Sequence, residues 1–297
     1  MNDHALDSFR RAGAIASEAR DWAYAQVEPG ARIRDVLEDT EALIRERGGE
    51  PGFPAQSSRN AIAAHYCSAP DDETRYAEGD CVKIDIGVHI DGYVADTAVT
   101  KDLSEDGRWQ ALIDASSAAL AAAIDLAGPG ALIPKLGGAI ERTIVEAGYQ
   151  PIRSLTGHGL GRWLVHAKPQ IPNVTHRGTA RLQEGMVIAI EPFATAGRGT
   201  IVEQGQPEVF MLAGQPEETD GIDAGVLESI VAWNGLPIAR RYFQQHATAD
   251  VNRAFALLAQ QGVLVVYAPL VVADGAMVAQ TEHTLYVSAD GVELLTS

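Results

Sequence analysis

Four carboxylates and one histidine, widely spaced along the chain, carry its strongest chemical signal. Asp85 lies in CVKIDIGVHI and Asp96 in YVADTAVT, two alternating, β-branched runs joined by Asp91-Gly92. Asp-Gly between such runs marks a two-residue hairpin turn. Pairing back from that turn sets Ile90 opposite Tyr93 and Gly87 opposite Asp96. Asp85, two residues from Gly87, then shares a face with Asp96, with Cα atoms roughly 7–8 Å apart. Gly87 is expected to leave the space beside them empty, and Val82, Ile84, Ile86, Val88 and Ile90 form a core face on the other side. Two anions above a glycine repel unless a cation sits between them, and a pair of ions about 3.5–4 Å apart suits the spacing. Taken alone, the pair equally fits a solvated polar hairpin face. Glu191 stands near the end of the strand-like GMVIAIEPF, just before Pro192, where an unpaired carboxylate is costly. Glu282 is embedded in a β-rich run, and His158 sits in the glycine-rich loop Gly157-His158-Gly159-Leu160-Gly161. Each alone has a bland alternative as a surface or solvent-facing residue. Together they form an oxygen-rich donor set suited to Mn, Fe, Co or Zn.

The elements that must hold these residues repeat. An offset of one hundred residues aligns 28–51 with 128–151, with nine identities that include Pro29/Pro129, Gly30/Gly130, Ile33/Ile133, Glu41/Glu141 and Gly48/Gly148. Each copy follows an Ala-rich stretch (12–26 and 111–127) and reads as a Pro-Gly turn, an amphipathic helix, a glycine stop and an extended segment. The expectation is a duplicated helix-helix-strand unit (12–60 and 111–160) with pseudo-two-fold symmetry and an active site between its halves. Residues 185–193 and 277–287 read as further strands. From about 214 to 261 the pattern turns helical in three pieces, GVLESIVAW, PIARRYFQQH and TADVNRAFALLAQQG, which reads as an insertion into a larger domain.

Composition narrows the class. With 297 residues and 46% apolar content the chain can bury a sizeable core. Forty acidic against twenty-three basic residues give a charge of −17, which argues against nucleic acid or an anionic membrane as partner. No apolar run approaches a membrane span, and the charged N-terminal segment has no signal-peptide core. Cys67 and Cys81 form no metal or redox motif and read as small buried side chains, consistent with a cytoplasmic setting.

At this point the chain resembles the type II methionine aminopeptidases of peptidase family M24, especially their compact archaeal form, from about Leu6 to the C-terminus. The family's five metal ligands fall on Asp85, Asp96, His158, Glu191 and Glu282, within Lys83-Ile84-Asp85-Ile86-Gly87, Ala95-Asp96-Thr97-Ala98, Gly157-His158, Ile190-Glu191-Pro192-Phe193 and Glu282-His283-Thr284. Type II is favoured by the 91-residue interval from Glu191 to Glu282, which accommodates a helical insertion, and by the eight-residue interval from His158 to His166. Ala64-His65, twenty residues before Asp85, matches the family's substrate-side histidine, with Phe53-Pro54 upstream.

The resemblance implies an α+β pita-bread (creatinase/aminopeptidase) fold, a curved antiparallel sheet flanked by two pseudo-symmetric helix pairs. Residues 1–194 and 271–297 would form the catalytic domain and 195–270 the inserted subdomain. It implies two divalent ions per chain (Co, Mn, Fe or Zn) and hydrolysis of N-terminal methionine, preferably before a small second residue. Glu191 would be the general base, and His65 and His166 would bind the scissile amide and stabilise the tetrahedral intermediate. Phe53 and Phe193 would wall the methionine pocket, although ordinary core packing is their alternative. A peptide with a free N-terminal Met is the implied partner, with a transient ribosome contact, a monomeric state and a cytoplasmic location. Two departures stand out: Thr281 replaces the family's usual aromatic before Glu-His-Thr, and the glycine-rich run around His158 is closer to proline peptidases. An Xaa-Pro peptidase of the same fold, which usually carries a large N-terminal domain, is the competing enzyme reading. A non-enzymatic binding relative, which would have lost ligands, is the third.

Overall fold

The computed structural model describes residues 1–297. Two helix pairs appear at the predicted offset. Helices α1 (Asp3–Gln26) and α2 (Ile33–Glu46) form one pair, and α3 (Gln110–Ile124) and α4 (Ile133–Glu146) the other. The Asn2 side chain caps α1 by accepting the Ala5 N–H at 2.8 Å. Gly30 (φ 91°) and Gly130 (φ 83°) take the left-handed turn after each proline, a conformation open to glycine at little cost. The first pair packs on the hydrophobic face Val82, Ile84, Ile86, Val88 and Ile90, and the second on Ile188, Ile190, Leu285 and Val287. Each half therefore buries its own core, and the carboxylates are left between them.

The hairpin forms as the sequence requires. Strand Cys81–Ile90 pairs with Tyr93–Asp102 in the register Ile90↔Tyr93, Gly87↔Asp96 and Asp85↔Ala98. Asp91 (φ 52°) and Gly92 (φ 86°) both take positive φ, the signature of a type I′ turn. A second sheet runs in the order Val292–Leu294, His283–Val287, Val187–Ile190, Thr156–Gly161, Leu164–Pro172. A bridge between Ala98 and Glu282 joins it to the hairpin.

Two expected strands are interrupted. The segment 185–193 breaks after Ile190 and resumes at Phe193, because Pro192 has no N–H to offer the ladder. The segment 277–287 breaks at Thr281-Glu282 between Val278–Gln280 and His283–Val287. Glu191 and Glu282 sit at these breaks, off the regular ladder. His158 is also placed differently from expectation, on strand Thr156–Gly161 rather than in a loop. Its glycines serve close packing: a Cβ on Gly157 would lie 2.3 Å from the Ala189 carbonyl oxygen, and one on Gly159 2.2 Å from that of Lys168.

Residues 209–264 contain helices α5 (Ala224–Val231) and α6 (Thr248–Gln260), with a hydrophobic cluster of their own around Phe210, Ile230, Phe243, Phe255 and Leu258. The PIARRYFQQH segment is not a helix of the predicted kind. Pro237–Ile238 is a short strand paired with Phe210 and Met211, and Arg240–Phe243 is one turn of 3₁₀ helix. Ile238 and Phe243 join the hydrophobic cluster of this unit while Arg241 and Tyr242 bind Glu41 of α2, and these contacts override the local helical spacing. No helix is long and apolar enough to cross a membrane. Cys67 and Cys81 are buried and unpaired, as expected.

Candidate metal centre

One cavity opens between the two halves and is lined by Asp85, Asp96, His158, Glu191 and Glu282 together with His65, His166, Phe53 and Phe193. All nine residues singled out in the sequence thus meet in one place. The hairpin brings Asp85 and Asp96 to the cavity face through the Gly87↔Asp96 pairing. Ligand-type atoms of Asp96, His158 and Glu282 lie within 4.8 Å of one another. His158 Nε2 is 3.6 Å from Asp96 Oδ2 and 3.5 Å from Glu191 Oε1. Gln280 Nε2 donates to both Asp85 Oδ2 and Glu282 Oε2, each at 3.3 Å.

The space beside Gly87 is not empty. A Cβ there would come within 2.2 Å of Phe53 Cε1, so the glycine admits the Phe53 ring against the carboxylate-bearing strand. Thr281, in place of an aromatic, is partly exposed and exchanges a 3.1 Å hydrogen bond with Ser117 on α3. That contact ties the strand break before Glu282 to the second helix pair by a polar link in place of ring packing.

The electrostatics are those of a site short of positive charge. Burial raises the Asp85 pKa to about 7, against hydrogen bonds that lower it. Burial also raises Asp96, Glu191 and Glu282 well above the usual carboxylate range, and their mutual repulsion adds to the effect. His158 is driven down to about 3 by burial and by His166, whose ring centroid is 4.6 Å away. Asp85 Oδ1, Asp96 Oδ1 and Glu282 Oε1 are buried without any hydrogen-bond partner. Clustered, desolvated carboxylate oxygens beside a neutral imidazole fit divalent cations, which would supply the missing charge and the missing contacts.

Around this cluster, His65 takes a left-handed backbone conformation (φ 66°), unusual for a side-chain-bearing residue. Its N–H donates to Gln56 Oε1 at 2.7 Å, and its ring meets Tyr267 edge-on at 5.5 Å. Burial and then His166 lower its pKa to about 4. His166 faces the open cavity, and the surrounding protein lowers its pKa as well. Both imidazoles are therefore neutral at pH 7. Sequence reasoning missed Gln56, Gln280 and Tyr267. Gln280 carries a faint signal, a polar residue two positions before Glu282, whereas Tyr267 reaches the cavity from a distant segment with no local cue.

A family model described as metallopeptidase family M24 matches residues 7–235. The chain belongs to metallopeptidase family M24. Among full-length relatives of this M24 member, the methionine aminopeptidase of Archaeoglobus fulgidus is 38% identical over 297 residues, covering 100% of both chains. That of Methanothermobacter thermautotrophicus is 36% identical, covering 98% of each. In structure the M24 chain is similar to the methionine aminopeptidase of Thermotoga maritima (TM-score 0.74, 24% identity, 100% and 98% coverage). It is also similar to a thermophilic Arx1 (TM-score 0.86, 18% identity, 99% and 91% coverage). The prolidase of Pyrococcus furiosus shares the fold (TM-score 0.63, 20% identity), with all of this chain matching 64% of that one. The fold is the pita-bread fold expected from the sequence, and the class is α+β.

Proposed function

We propose that this M24 metallopeptidase removes methionine from the amino terminus of peptides and proteins, with preference for a small second residue. The observation that carries the reading is the buried donor cluster with its unpartnered carboxylate oxygens, in a chain 38% identical over its full length to a methionine aminopeptidase.

Asp85, Asp96, His158, Glu191 and Glu282 would hold two divalent ions from among Co, Mn, Fe and Zn. Such ions, when bound, supply Lewis acidity and lower the pKa of bound water. Glu191, at the break before Pro192, accepts the proton of the attacking water and returns it to the leaving amine. His65 and His166, both neutral and both lining the cavity, offer N–H groups to the scissile amide and to the oxyanion that develops. Positioned groups of this kind contribute about 10²–10⁴-fold each. Phe53 and Phe193, both buried at the cavity wall, make a flat apolar seat for an unbranched thioether side chain. Residues 195–270 are proposed as an inserted subdomain that contributes Val209, Pro237 and Tyr267 to the same cavity. A monomeric, cytoplasmic enzyme with transient access to nascent chains completes the proposal.

The test is a peptide panel assayed with added Mn²⁺ or Co²⁺. Met-Ala-Ser should be cleaved at its first bond and Gly-Pro peptides left intact. Cleavage of Gly-Pro peptides in preference to Met-Ala-Ser would overturn the reading in favour of a proline peptidase.

A further inference from the structure

The buried Glu41 carboxylate ties three parts of the molecule together. It lies on α2 and is 2% exposed. Its Oε1 accepts the Ala55 N–H at 2.9 Å and the Tyr242 hydroxyl at 2.6 Å. The Arg241 guanidinium, also buried, grips both of its oxygens. Tyr242 in turn stacks on Trp233, with ring centroids 4.7 Å apart and planes within 6°. Arg241 and Tyr242 come from the 209–264 unit, Glu41 from the first helix pair, and Ala55 from the edge of the cavity.

Ala55 sits between two cavity-lining residues. Phe53 presses on Gly87, and Gln56 pairs in register with Asp85 while its side chain holds the His65 N–H. Any slip of segment 53–56 therefore moves the Phe53 wall and releases the strained His65 backbone together. The counterpart of Glu41 one hundred residues later behaves in parallel: Glu141 accepts the Thr175 N–H at 2.9 Å and pairs with Arg153 at 2.8 Å. There the cation is exposed and comes from nearby in the chain. In the first half it is buried and comes from 200 positions away. The backbone-holding role is common to both halves, and its connection to the 209–264 unit is peculiar to the first.

We propose that Glu41 is a positioning residue for the methionine pocket, through which the 209–264 unit sets the placement of Phe53 and His65 and so the selectivity for the side chain at the cleaved terminus. This inference rests on the aminopeptidase reading above. Breaking one partner of a buried ion pair destabilises strongly, whereas replacing the pair by apolar residues of similar size is often neutral. Two triple variants therefore separate position from stability. Glu41→Leu/Arg241→Met/Tyr242→Phe removes the acceptor for the Ala55 N–H, and Glu41→Gln/Arg241→Met/Tyr242→Phe keeps it. The measured quantity is the ratio of kcat/KM for Met-Ala-Ser over Leu-Ala-Ser, with Tm recorded for each protein.

The leucine variant should lose about tenfold in that ratio, mainly through a higher KM for the methionine peptide, a loss in the range that pocket fit controls. The glutamine variant should stay within about twofold of the unaltered protein, because the acceptor survives. Equal ratios in the two folded variants would overturn the proposal. Should either variant fail to fold, hydrogen exchange of the unaltered protein decides. The Ala55 amide should exchange as slowly as the Ile84 and Ile86 amides of the central strand, and exchange at loop rates overturns the proposal. An unaltered protein that leaves methionine peptides intact refutes the aminopeptidase reading, while the Ala55 exchange still tests the bond itself.

Discussion

Replacing Asp85 by Asn should make the metal-free protein more stable while abolishing its activity. The carboxyl is buried, with Oδ1 lacking any partner, and its pKa is raised by burial from its ordinary value of 3.8 to about 7. A raised carboxyl pKa means that the folded chain holds the proton longer than the unfolded one. The cost to folding is absent below pH 3.8, grows as pH rises, and is complete above about pH 7. The gap of about three pH units, at about 1.4 kcal/mol each, gives about 4 kcal/mol at pH 8 and about 2 kcal/mol at pH 5. Asparagine carries no such charge, keeps an oxygen for the Gln280 amide and turns an N–H toward the Asp96 side. Urea unfolding of EDTA-treated proteins should show the Asp85→Asn chain ahead by these amounts, a Tm gain of roughly 6 °C at pH 8 for a chain of this size. The buried histidines are common to both proteins, and because the Asp85 charge also raises Asp96, Glu191 and Glu282, its removal relieves them too, so these amounts are a lower bound. Added Mn²⁺ should reverse the order, since only the unaltered chain has the full donor set. A metal-free Asp85→Asn protein no more stable than its parent at pH 8 would refute the claim that these carboxylates are buried without compensation.

Other outcomes follow from the same geometry. Gly87→Ala should drive Phe53 from the strand, costing about 1–3 kcal/mol in stability and raising KM for methionine peptides more than it lowers kcat, as steady-state kinetics would show. Glu191→Gln and His166→Ala should each lower kcat by about 10²–10⁴-fold with the fold intact by circular dichroism. His89, lowered to about 4 by burial, is neutral when folded. Its penalty is nil well above pH 6.5 and grows as pH falls toward 4, so His89→Asn should recover about 1 kcal/mol at pH 5, discounted for its partial exposure, and nothing at pH 8.

Much of this site was legible because local rules fix it. The Asp91-Gly92 turn dictates the register, the register brings Asp85 and Asp96 to one face, and the alternation of Val82 to Ile90 fixes which side is core. The hundred-residue repeat likewise announced paired helices with Gly30 and Gly130 at matching turns. What escaped depends on contacts distant in sequence. Phe53 fills the space beside Gly87 from 34 residues upstream, a packing choice that neither segment reveals alone. Arg241 and Tyr242 fit a helical pattern, but their partner is Glu41, two hundred residues earlier, and that pairing holds them in a single 3₁₀ turn. The strand breaks at Glu191-Pro192 and Thr281-Glu282 fall where each apolar pattern gives way to polar residues or proline, a cue that pairing ends but not that the chain resumes a strand in another sheet just beyond.

Calorimetric titration of the metal-free chain with Mn²⁺, in parallel for the parent and Asp96→Ala, with hydrolysis of Met-Ala-Ser followed in the same samples, reaches the centre of the account. Two ions per chain in the parent, fewer in the variant and no detectable turnover there are the predicted results. Unchanged stoichiometry with turnover retained in Asp96→Ala would contradict it.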